Sequence, residues 1–596
     1  MSTTKGDRSN DNENENDPKN HKRDKVPKLE GDDIDGESDS DEEDEDEYRL
    51  RIYGGESSKA IVPSSFSQPL RKITKRLSKR FSHSLMRRRS SFSESLPDTP
   101  TGWMVLSCVT LSAILAYEAS LQKSLTKPPI TFCQLSSGGF VDKIYDQLTE
   151  DPSHDYKNSS APSKILSRSI QPSLFVGTRG MISSTAAYLG RGPSSRINYL
   201  RFREMFTMSQ DGARIAIDWE IRRDDVGDDQ QIQQTDNKTN SIEHDILNGP
   251  IYKPVVLILH GINNDSSFGY MKSLSRSFCN RGYISASMNF RGCGHVKLST
   301  PRGYNAAYTG DIRSVINQIS ARLQKDVSMF LVGNSLGANI MAKYLGEEGM
   351  CGTLPPCVSG GASLGNPLLI DSNVVKFPFN VLMALGVKKI FLENLKQIGS
   401  MNDSRSKHIL KKGFMAPTIA AFDNAIAPSM IRNNPYFPFE TRIGYEDGEA
   451  YWFDASSYRY IKHISVPFLN ITAQDDFLVS RGSRNKLGFC LANPNVMVVE
   501  TRCGGHLGWQ ETPPDSAFGA SSWADTAASD FFDAILKVDS KSTSEMSVNQ
   551  NTHSMVNSGF GQLALTSLDT RQIHKQLEEV KSEALAFTRS NISSKL

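Results

Sequence analysis

The alternation of short apolar runs with helical stretches constrains the fold most strongly. Three runs have the length and composition of strands: PVVLILHG (254–261), YISASMNFRG (283–292) and VSMFLVG (327–333). The stretches between them, 270–280 and 309–324, are predicted to be helices. Apolar strands that alternate with helices are typical of a parallel sheet built from βαβ units with right-handed crossovers. The sequence therefore predicts an α/β fold with a mostly parallel central sheet flanked by helices.

A Gly-x-Ser-x-Gly pattern occurs twice, around Ser335 (GNSLG) and around Ser363 (GASLG). A nucleophile of this kind stands on a sharp turn between a strand and a helix, which exposes its hydroxyl group above the sheet. Ser335 has a predicted strand before it and a predicted helix after it. Ser363 is followed by Asn366-Pro367, and the residue before a proline is biased away from helix. We interpret Ser335 as a nucleophile and Ser363 as the end of the next strand.

A serine nucleophile needs a base, and the base needs a carboxylate to orient it. On such a sheet the chain order is serine, acid, histidine. The predicted strand at 464–473 leads directly to Asp475 and Asp476, and the strand after it leads to His506, which lies among glycines. Both carboxylates are candidates. A small residue often stands four positions after the acid in such enzymes, and Ser480 in that position favours Asp476.

A site of this kind also needs donors for the oxyanion that forms when the serine attacks a carbonyl group. The backbone N–H of Leu336, directly after the nucleophile, supplies one, and Ile262, in the loop after the first parallel strand, supplies the other. His260 precedes the nucleophile and is too early to be the base, so we expect a structural or loop-positioning role. His260 and Asp265 also form the H-x-x-x-x-D pattern of some acyltransferases, but its place on the oxyanion loop disfavours that interpretation.

The first 119 residues carry signals for a membrane surface. Residues 1–65 are polar and acidic, and they bury too little apolar surface to order themselves. In 66–95, apolar residues recur every three or four positions among lysines and arginines, which predicts an amphipathic helix attracted to an anionic membrane. Residues 101–119 reach the practical lower limit for a span, about 17 residues, only by including Glu118. A transmembrane helix, an interfacial helix and a core helix all remain open. We expect a single-pass or monotopic membrane protein, with the endoplasmic reticulum favoured.

Composition excludes several other classes. The net charge of +1 gives no general attraction to nucleic acid. The eight cysteines form no C-x-x-C pair and lack the spacing of a zinc site or a disulfide scaffold. We expect no metal, no cofactor and no nucleic-acid partner.

Several separated motifs together resemble one group of α/β-hydrolases. That group comprises the abhydrolase-domain one/two/three proteins of animals, the yeast medium-chain ethyl ester synthase/esterases and the plant embryogenesis-associated hydrolases. The resemblance covers roughly Ile197 to Leu536 and implies a Ser335–Asp476–His506 triad with a helical lid at about 370–460. The motifs, in order, are HGINNDSSFGYMKSL, NFRGCG, YNAAYTGDI, GNSLGAN, FDNAIAPSM, ASSYRYIKHISVPFLNITAQDD and GGHLGW.

The resemblance implies a membrane-associated serine hydrolase that cleaves lipid esters through an acyl-enzyme. Acylglycerols, phospholipids and medium-chain fatty acid esters are the implied substrates. An alcohol O-acyltransferase that uses the same triad and an inactive membrane-tethered scaffold are the alternatives. The implied organisation is a connector at 120–195, a hydrolase domain at 196–537 and a largely disordered tail at 538–596. The acidic and basic N-terminus, the tail and the loop at 224–248 have no counterpart in the group.

Overall fold

The computed structural model describes residues 100–134, 139–149, 164–190, 199–223, 246–398, 404–434, 440–480, 482, 485–512 and 521–548. The predictions for 1–65 and 66–95, and most of those for the loop at 224–248 and the tail, lie outside the described residues.

The fold is organised around a nine-stranded sheet. Its strands are β1 (Ile130–Cys133), β2 (Tyr199–Thr207), β3 (Arg214–Arg222), β4 (Val255–Leu259), β5 (Ile284–Met288), β6 (Met329–Asn334), β7 (Val358–Leu364), β10 (Phe468–Ala473) and β11 (Val496–Thr501). Their order across the sheet is β1-β11-β10-β7-β6-β4-β5-β3-β2. The six strands from β11 to β5 run parallel, and antiparallel strands lie at both edges. This is the mostly parallel sheet that the sequence predicts.

Helices cover both faces of the sheet, and the strands bury side chains on both sides. In β4, Val255, Leu257 and Leu259 belong to one apolar cluster, while Val256 and Ile258 belong to the cluster on the other face. The helices outside the insertion described below are α1 (Pro100–Leu125), α2 (Phe140–Leu148), α3 (Gly180–Leu189), α4 (Gly269–Cys279), α5 (Gly310–Ser320), α6 (Leu336–Cys351), α13 (Leu487–Cys490) and α14 (Trp523–Val548). A two-residue pair, β12 (Gln510–Glu511) with β13 (Ser521–Ser522), precedes α14.

β2 and β3 form a β-hairpin at one edge of the sheet. β2 and β3 pair antiparallel from Tyr199 opposite Arg222 to Thr207 opposite Arg214. The turn contains Gly212 with φ of +72°, a conformation that glycine adopts without steric cost.

The stretch at 120–195, predicted to be a connector, contributes to the folded domain. β1 pairs antiparallel with β11 and forms one edge of the sheet, and α2 and α3 pack on the domain. The connector prediction is therefore wrong for these elements. A four-residue strand such as ITFC has no periodicity that a sequence pattern can reveal. At the other end of the domain, α14 continues past residue 537 to Val548.

Residues 101–119 do form a helix, as part of α1. No helix among the described residues is long and apolar enough to cross a membrane, so the prediction of a transmembrane helix is not supported. Hydroxyl side chains, including Ser107 and Thr110, interrupt the apolar stretch. Glu118 near its end is buried and accepts a hydrogen bond from Thr178 Oγ1 at 3.0 Å.

A helical insertion at 379–461 separates β7 from β10. It packs around its own apolar cluster, which also contacts Ile262 and Leu336 below it. The insertion comprises α7 (Phe379–Glu393), α8 (Leu395–Ile398), α9 (Ser404–Met415), α10 (Ile419–Ile426), a 3₁₀ turn (Ala427–Ser429), β8 (Ile431–Asn433), β9 (Thr441–Ile443), α11 (Gly448–Ala455) and α12 (Tyr458–Ile461).

Candidate active site

Ser335 lies on a strained turn between β6 and α6. Its backbone has φ of 53° and ψ of −116°, a region that L residues seldom occupy and that is often found at functional sites. The two flanking glycines make this turn possible. A Cβ atom at Gly333 would lie 2.4 Å from the Cα atom of Ala338, and one at Gly337 would lie 2.5 Å from the carbonyl oxygen of His260. The glycines of the pentapeptide are thus required by close backbone packing.

The structure brings Ser335, His506 and Asp476 into one hydrogen-bonded series. The Oγ atom of Ser335 lies 2.8 Å from Nε2 of His506, and Nδ1 of His506 lies 2.8 Å from Oδ2 of Asp476. The other carboxylate oxygen of Asp476 accepts the N–H groups of Leu478 and Val479 at 2.9 and 3.1 Å. Both the serine and the histidine are 8% exposed. The carboxylate of Asp476 is therefore held in place by two backbone groups. The relay formed by Ser335, His506 and Asp476 is shielded from bulk water.

This arrangement matches one tautomer of the His506 imidazole. An ionised carboxylate can only accept hydrogen bonds, so the proton shared with Asp476 belongs to Nδ1 of the imidazole. Nε2 then carries a lone pair that faces the hydroxyl group of Ser335. A serine in this position can give its proton to the imidazole as the oxygen attacks an electrophile.

Asp475, the alternative acid, has a different partner. Its Oδ1 atom accepts the backbone N–H of Gly505 at 2.7 Å, directly beside His506. Burial raises the pKa of this carboxyl group, and the backbone N–H groups of Gly505 and Gly504 oppose that shift. Asp475 thus holds the loop that carries the histidine, while Asp476 contacts the imidazole itself.

Ser184 on α3 is a site residue that the sequence reasoning missed. Its Oγ atom accepts the backbone N–H of His506 at 2.8 Å and donates to the carbonyl oxygen of Gly180 at 2.7 Å. The loop and the helix are in close contact, since a Cβ atom at Gly505 would lie 2.1 Å from that same carbonyl oxygen. Ser184 and His506 are 322 residues apart, so no local pattern could have paired them.

The two predicted oxyanion donors lie beside Ser335. Ile262 and Leu336 both line the cavity onto which the serine opens. Leu336 is the first residue of α6, and the first N–H groups of a helix have no partner within the helix. A Cβ atom at Gly261 would lie 3.4 Å from the Cβ atom of Ser335. The loop that contains Gly261 and Ile262 therefore passes directly against Ser335.

His260 is a buried anchor of this loop. Its Nε2 atom accepts the N–H of Phe290 at 3.0 Å, so the imidazole proton is on Nδ1, which lies 2.7 Å from the carbonyl oxygen of Gly261. Burial lowers the pKa of His260 to about 4. The carboxylate of Asp265 accepts the backbone N–H of Ser267 at 2.7 Å, in an exposed turn. The two residues of the H-x-x-x-x-D pattern thus have separate structural partners.

His260 should make the protein less stable in acid. The pKa of His260 is lowered from 6.5 to about 4, so the unfolded chain takes up a proton first. The stability that the neutral imidazole provides is complete above pH 6.5 and is lost as the pH falls towards 4. Between about pH 7.5 and pH 5, we expect the free energy of unfolding to fall by about 2 kcal/mol through this group.

Urea denaturation over this pH range measures the effect. His260→Gln is the matched variant, because its amide oxygen can accept from Phe290 while the side chain does not titrate. The acid-dependent loss should be smaller in the variant by about the stated amount. Equal losses in the two proteins would show that His260 does not contribute to the acid sensitivity.

Ser363 is remote from the relay, as its flanking residues predict. It lies within β7, is fully buried, and donates a hydrogen bond to Oδ1 of Asn470 at 3.0 Å. Asn470 itself lies in buried β10, where its side chain is 1% exposed.

A cavity of about 1060 Å³, counting space open to solvent, lies between Ser335 and the helical insertion. Its wall is mainly apolar. Side chains of the insertion that line it include Met383, Val387, Ile390, Phe391, Ile419, Phe422, Ile426 and Met430. Among the described residues, no group of three or more His, Cys, Asp or Glu side chains is placed to hold a metal ion.

Comparisons with known proteins agree with this fold. A family model described as Hydrolase_4, serine aminopeptidase S33, matches residues 251–403. A monoacylglycerol lipase of Saccharomyces cerevisiae is 30% identical over 276 residues, which cover 44% of this chain and 56% of that protein. The embryogenesis-associated protein EMB8 of Picea glauca is 26% identical over 374 residues, which cover 61% and 72% of the two chains. Phospholipase ABHD3 of Mus musculus is 25% identical over 316 residues, which cover 52% of this chain and 67% of that protein.

The sheet topology is that of the α/β-hydrolase fold, and the relatives that match this chain carry the names of a lipase and a phospholipase. The spruce protein carries the name of one of the groups that the separated motifs resemble. The chain spans little more than half the length of the yeast lipase.

Proposed function

We propose that this protein hydrolyses carboxylic esters of lipids, with Ser335 as nucleophile, His506 as base and Asp476 as the orienting acid. The observation that carries the proposal is the pair of 2.8 Å contacts that join the three side chains. This is the geometry that serine activation requires. The names of the relatives, which include a monoacylglycerol lipase and a phospholipase, support lipid esters as substrates.

The proposed reaction has two halves. His506 takes the proton of Ser335 as Oγ attacks the ester carbonyl, and the N–H groups of Leu336 and Ile262 stabilise the negative oxygen that forms. The tetrahedral intermediate collapses, the bond to the alcohol breaks, and the alcohol leaves with the proton from His506. Water then attacks the acyl-enzyme with His506 again as base, which releases the fatty acid and restores Ser335. Asp476 keeps the imidazole in the required tautomer throughout.

The cavity above Ser335 supports a lipid rather than a small polar ester. Its wall is mostly aliphatic and aromatic, and such a surface binds an acyl chain by removing it from water. The helical insertion at 379–461 supplies much of that wall, and we propose that it acts as the lid of the site. Its helix α7 directs Met383 and Val387 to the cavity, while Leu382 and Leu385 are exposed on its outer side.

We further propose that the protein lies on a membrane surface through α1. Every described side chain from 107 to 117 is exposed. The exposed apolar ones, Val109, Leu111, Ile114, Leu115 and Tyr117, have accessible fractions of 44% to 63%. An exposed apolar patch of this kind favours an interface with another apolar phase. Attraction of the basic segment at 66–95 to anionic lipids remains a prediction.

Fatty acid release from three lipid esters tests the proposed activity. The full-length protein is incubated with a monoacylglycerol, a medium-chain ethyl ester and a phosphatidylcholine, and the free acid is measured by mass spectrometry. Release from at least one of them, at a rate proportional to enzyme, is the expected result. No release above the buffer rate from any of the three would contradict the proposal.

Vesicle sedimentation tests the membrane contact. Leu111→Glu places a charge in the exposed apolar patch of α1, whereas Ser124→Glu places the same charge at an exposed polar position of that helix. On phosphatidylcholine and phosphatidylserine vesicles, Leu111→Glu should bind at least about tenfold more weakly than the wild type, because a buried leucine contributes about 2 kcal/mol. Ser124→Glu should bind much as the wild type does. Equal binding by all three proteins would exclude α1 as the contact.

A further inference from the structure

The cavity wall contains one carboxyl group whose protein contacts are few. Asp423 lies on α10, within the FDNAIAPSM motif, and lines the same cavity as Ser335. Its Oδ2 atom accepts the indole N–H of Trp452 at 3.3 Å, a long contact. Within the described part of the chain, no other hydrogen bond reaches this carboxyl group. The part of the side chain that remains accessible is available to a molecule in the cavity.

The other polar side chains on this wall already have protein partners. Arg291 is paired with Asp311 and Asp211 at 2.6 and 2.5 Å. Both polar groups of the Asn305 amide are hydrogen-bonded to backbone atoms. Asp371 accepts the backbone N–H of Asn373 at 2.8 Å. Asp423 and Asp371 each accept one hydrogen bond among the described residues, and the one to Asp423 is the longer of the two, at 3.3 Å against 2.8 Å.

Two tyrosines on the same wall complement Asp423. The phenol oxygens of Tyr304 and Tyr451 accept backbone N–H groups, from Asn263 and Ala306 respectively, each at 3.0 Å. Neither phenol hydrogen finds an acceptor among the described residues. Burial raises the pKa of both phenols, and the nearby charge of Asp423 adds to the shift, so both hydroxyl groups stay protonated as donors.

A carboxyl group that has few hydrogen bonds in an apolar wall raises the free energy of the substrate-free enzyme. Burial raises the pKa of Asp423 to about 7, and the contact from Trp452 only partly opposes that shift. An apolar substrate that fills the cavity would remove the remaining water from this group and add to the cost. A substrate that offers a hydrogen bond there avoids that cost, so the group discriminates between substrates.

We propose that Asp423, with Tyr304 and Tyr451, forms a subsite for a free hydroxyl group on the alcohol portion of the ester. A hydroxyl group is both donor and acceptor, so it can donate to the carboxylate and accept from a phenol. A saturated acyl chain can do neither, and a quaternary ammonium group has no hydrogen to donate and no lone pair. The inference rests on the proposed ester hydrolysis and adds a preference for partial glycerides over simple alkyl esters of the same acid.

Two esters that share one fatty acid and differ only in the alcohol portion test this subsite. The full-length protein is assayed with 1-decanoylglycerol, which has two free hydroxyl groups, and with ethyl decanoate, which has none. The readout is the ratio of kcat/KM for the glycerol ester to kcat/KM for the ethyl ester. Asp423→Leu removes the polar group at similar size, Asp423→Asn keeps a hydrogen-bonding group, and Asp371→Leu removes a carboxylate of the same wall that already has a backbone partner.

The ratio should fall about tenfold or more in Asp423→Leu, because the site can no longer pair the substrate hydroxyl group. Most of that fall should appear in KM. Asp423→Asn should recover a large part of the ratio, and Asp371→Leu should keep the wild-type ratio. A purely structural role for Asp423 would lower turnover of both esters together.

An unchanged ratio in Asp423→Leu would overturn the subsite, as would an equal fall in Asp371→Leu. Turnover of ethyl decanoate by the wild type and the variants would in that case still uphold ester hydrolysis, so the two proposals fail separately. A loss in Asp423→Leu confined to a choline-bearing lysophospholipid would also overturn the proposal, because it would show recognition of a cation.

Discussion

Replacing Ser335 with alanine should lower kcat for lipid ester hydrolysis by at least about a thousandfold, because the bond-forming oxygen is lost. The residual rate would come from the oxyanion donors and substrate binding alone. Among the described residues the hydroxyl group of Ser335 hydrogen-bonds to His506, and alanine keeps the Cβ atom that packs against the Gly261 loop, so the variant should remain folded. Fatty acid release under saturating substrate measures the loss, and circular dichroism checks the fold.

Ser363→Ala is the matched control, since Ser363 stands in the same Gly-x-Ser-x-Gly pattern. Its hydroxyl group is buried against Asn470, so the change should cost stability of about 1 kcal/mol and leave kcat of the same order. Activity that survives in Ser335→Ala, or that disappears in Ser363→Ala with the fold intact, would contradict the assignment of the nucleophile.

Asp476→Asn should lower kcat on the order of a thousandfold to ten-thousandfold. An asparagine amide can donate to Nδ1 of His506, which favours the tautomer with the proton on Nε2. That tautomer cannot accept the proton of Ser335. The variant keeps the size of the side chain, and an amide oxygen can still accept from Leu478 and Val479, so the loss would report on the tautomer rather than on packing.

Asp475→Asn is the neighbouring control. The amide oxygen can still accept the N–H of Gly505, so the loop that carries His506 should keep its position. We expect kcat to fall less than about tenfold, the range of a single neutral hydrogen bond. A larger loss in Asp475→Asn than in Asp476→Asn would reverse the roles of the two carboxylates.

The sheet and the relay were accessible from the sequence because their signals are local. Each parallel strand is a continuous apolar run, and such runs follow directly from burial on both faces. Gly333 and Gly337 are needed for a tight turn, and a strand precedes Ser335 while a helix follows it. The choice of Asp476 over Asp475 rested on the weak signal of Ser480, and the structure places Asp476 against the imidazole.

The remaining features depend on contacts between distant parts of the chain. Ser184 reaches His506 from a helix in the stretch that was predicted to be a connector. β1 is too short to show periodicity and is defined by its pairing with β11. Asp423 lies in the FDNAIAPSM motif, but only the fold shows that it lines the cavity of Ser335 and that its neighbours leave it incompletely paired. Such relations follow from tertiary packing and leave no periodic trace.

The central claim is that Ser335 is the nucleophile of a serine hydrolase, and covalent labelling tests it most directly. A fluorophosphonate forms a phosphorus–oxygen bond to an activated serine and releases fluoride, which leaves a stable mass label. Peptide mapping by mass spectrometry should find the label on Ser335 in the full-length protein, and Ser335→Ala should take up none. A label on Ser363 or another residue, or labelling that persists in Ser335→Ala, would contradict the account.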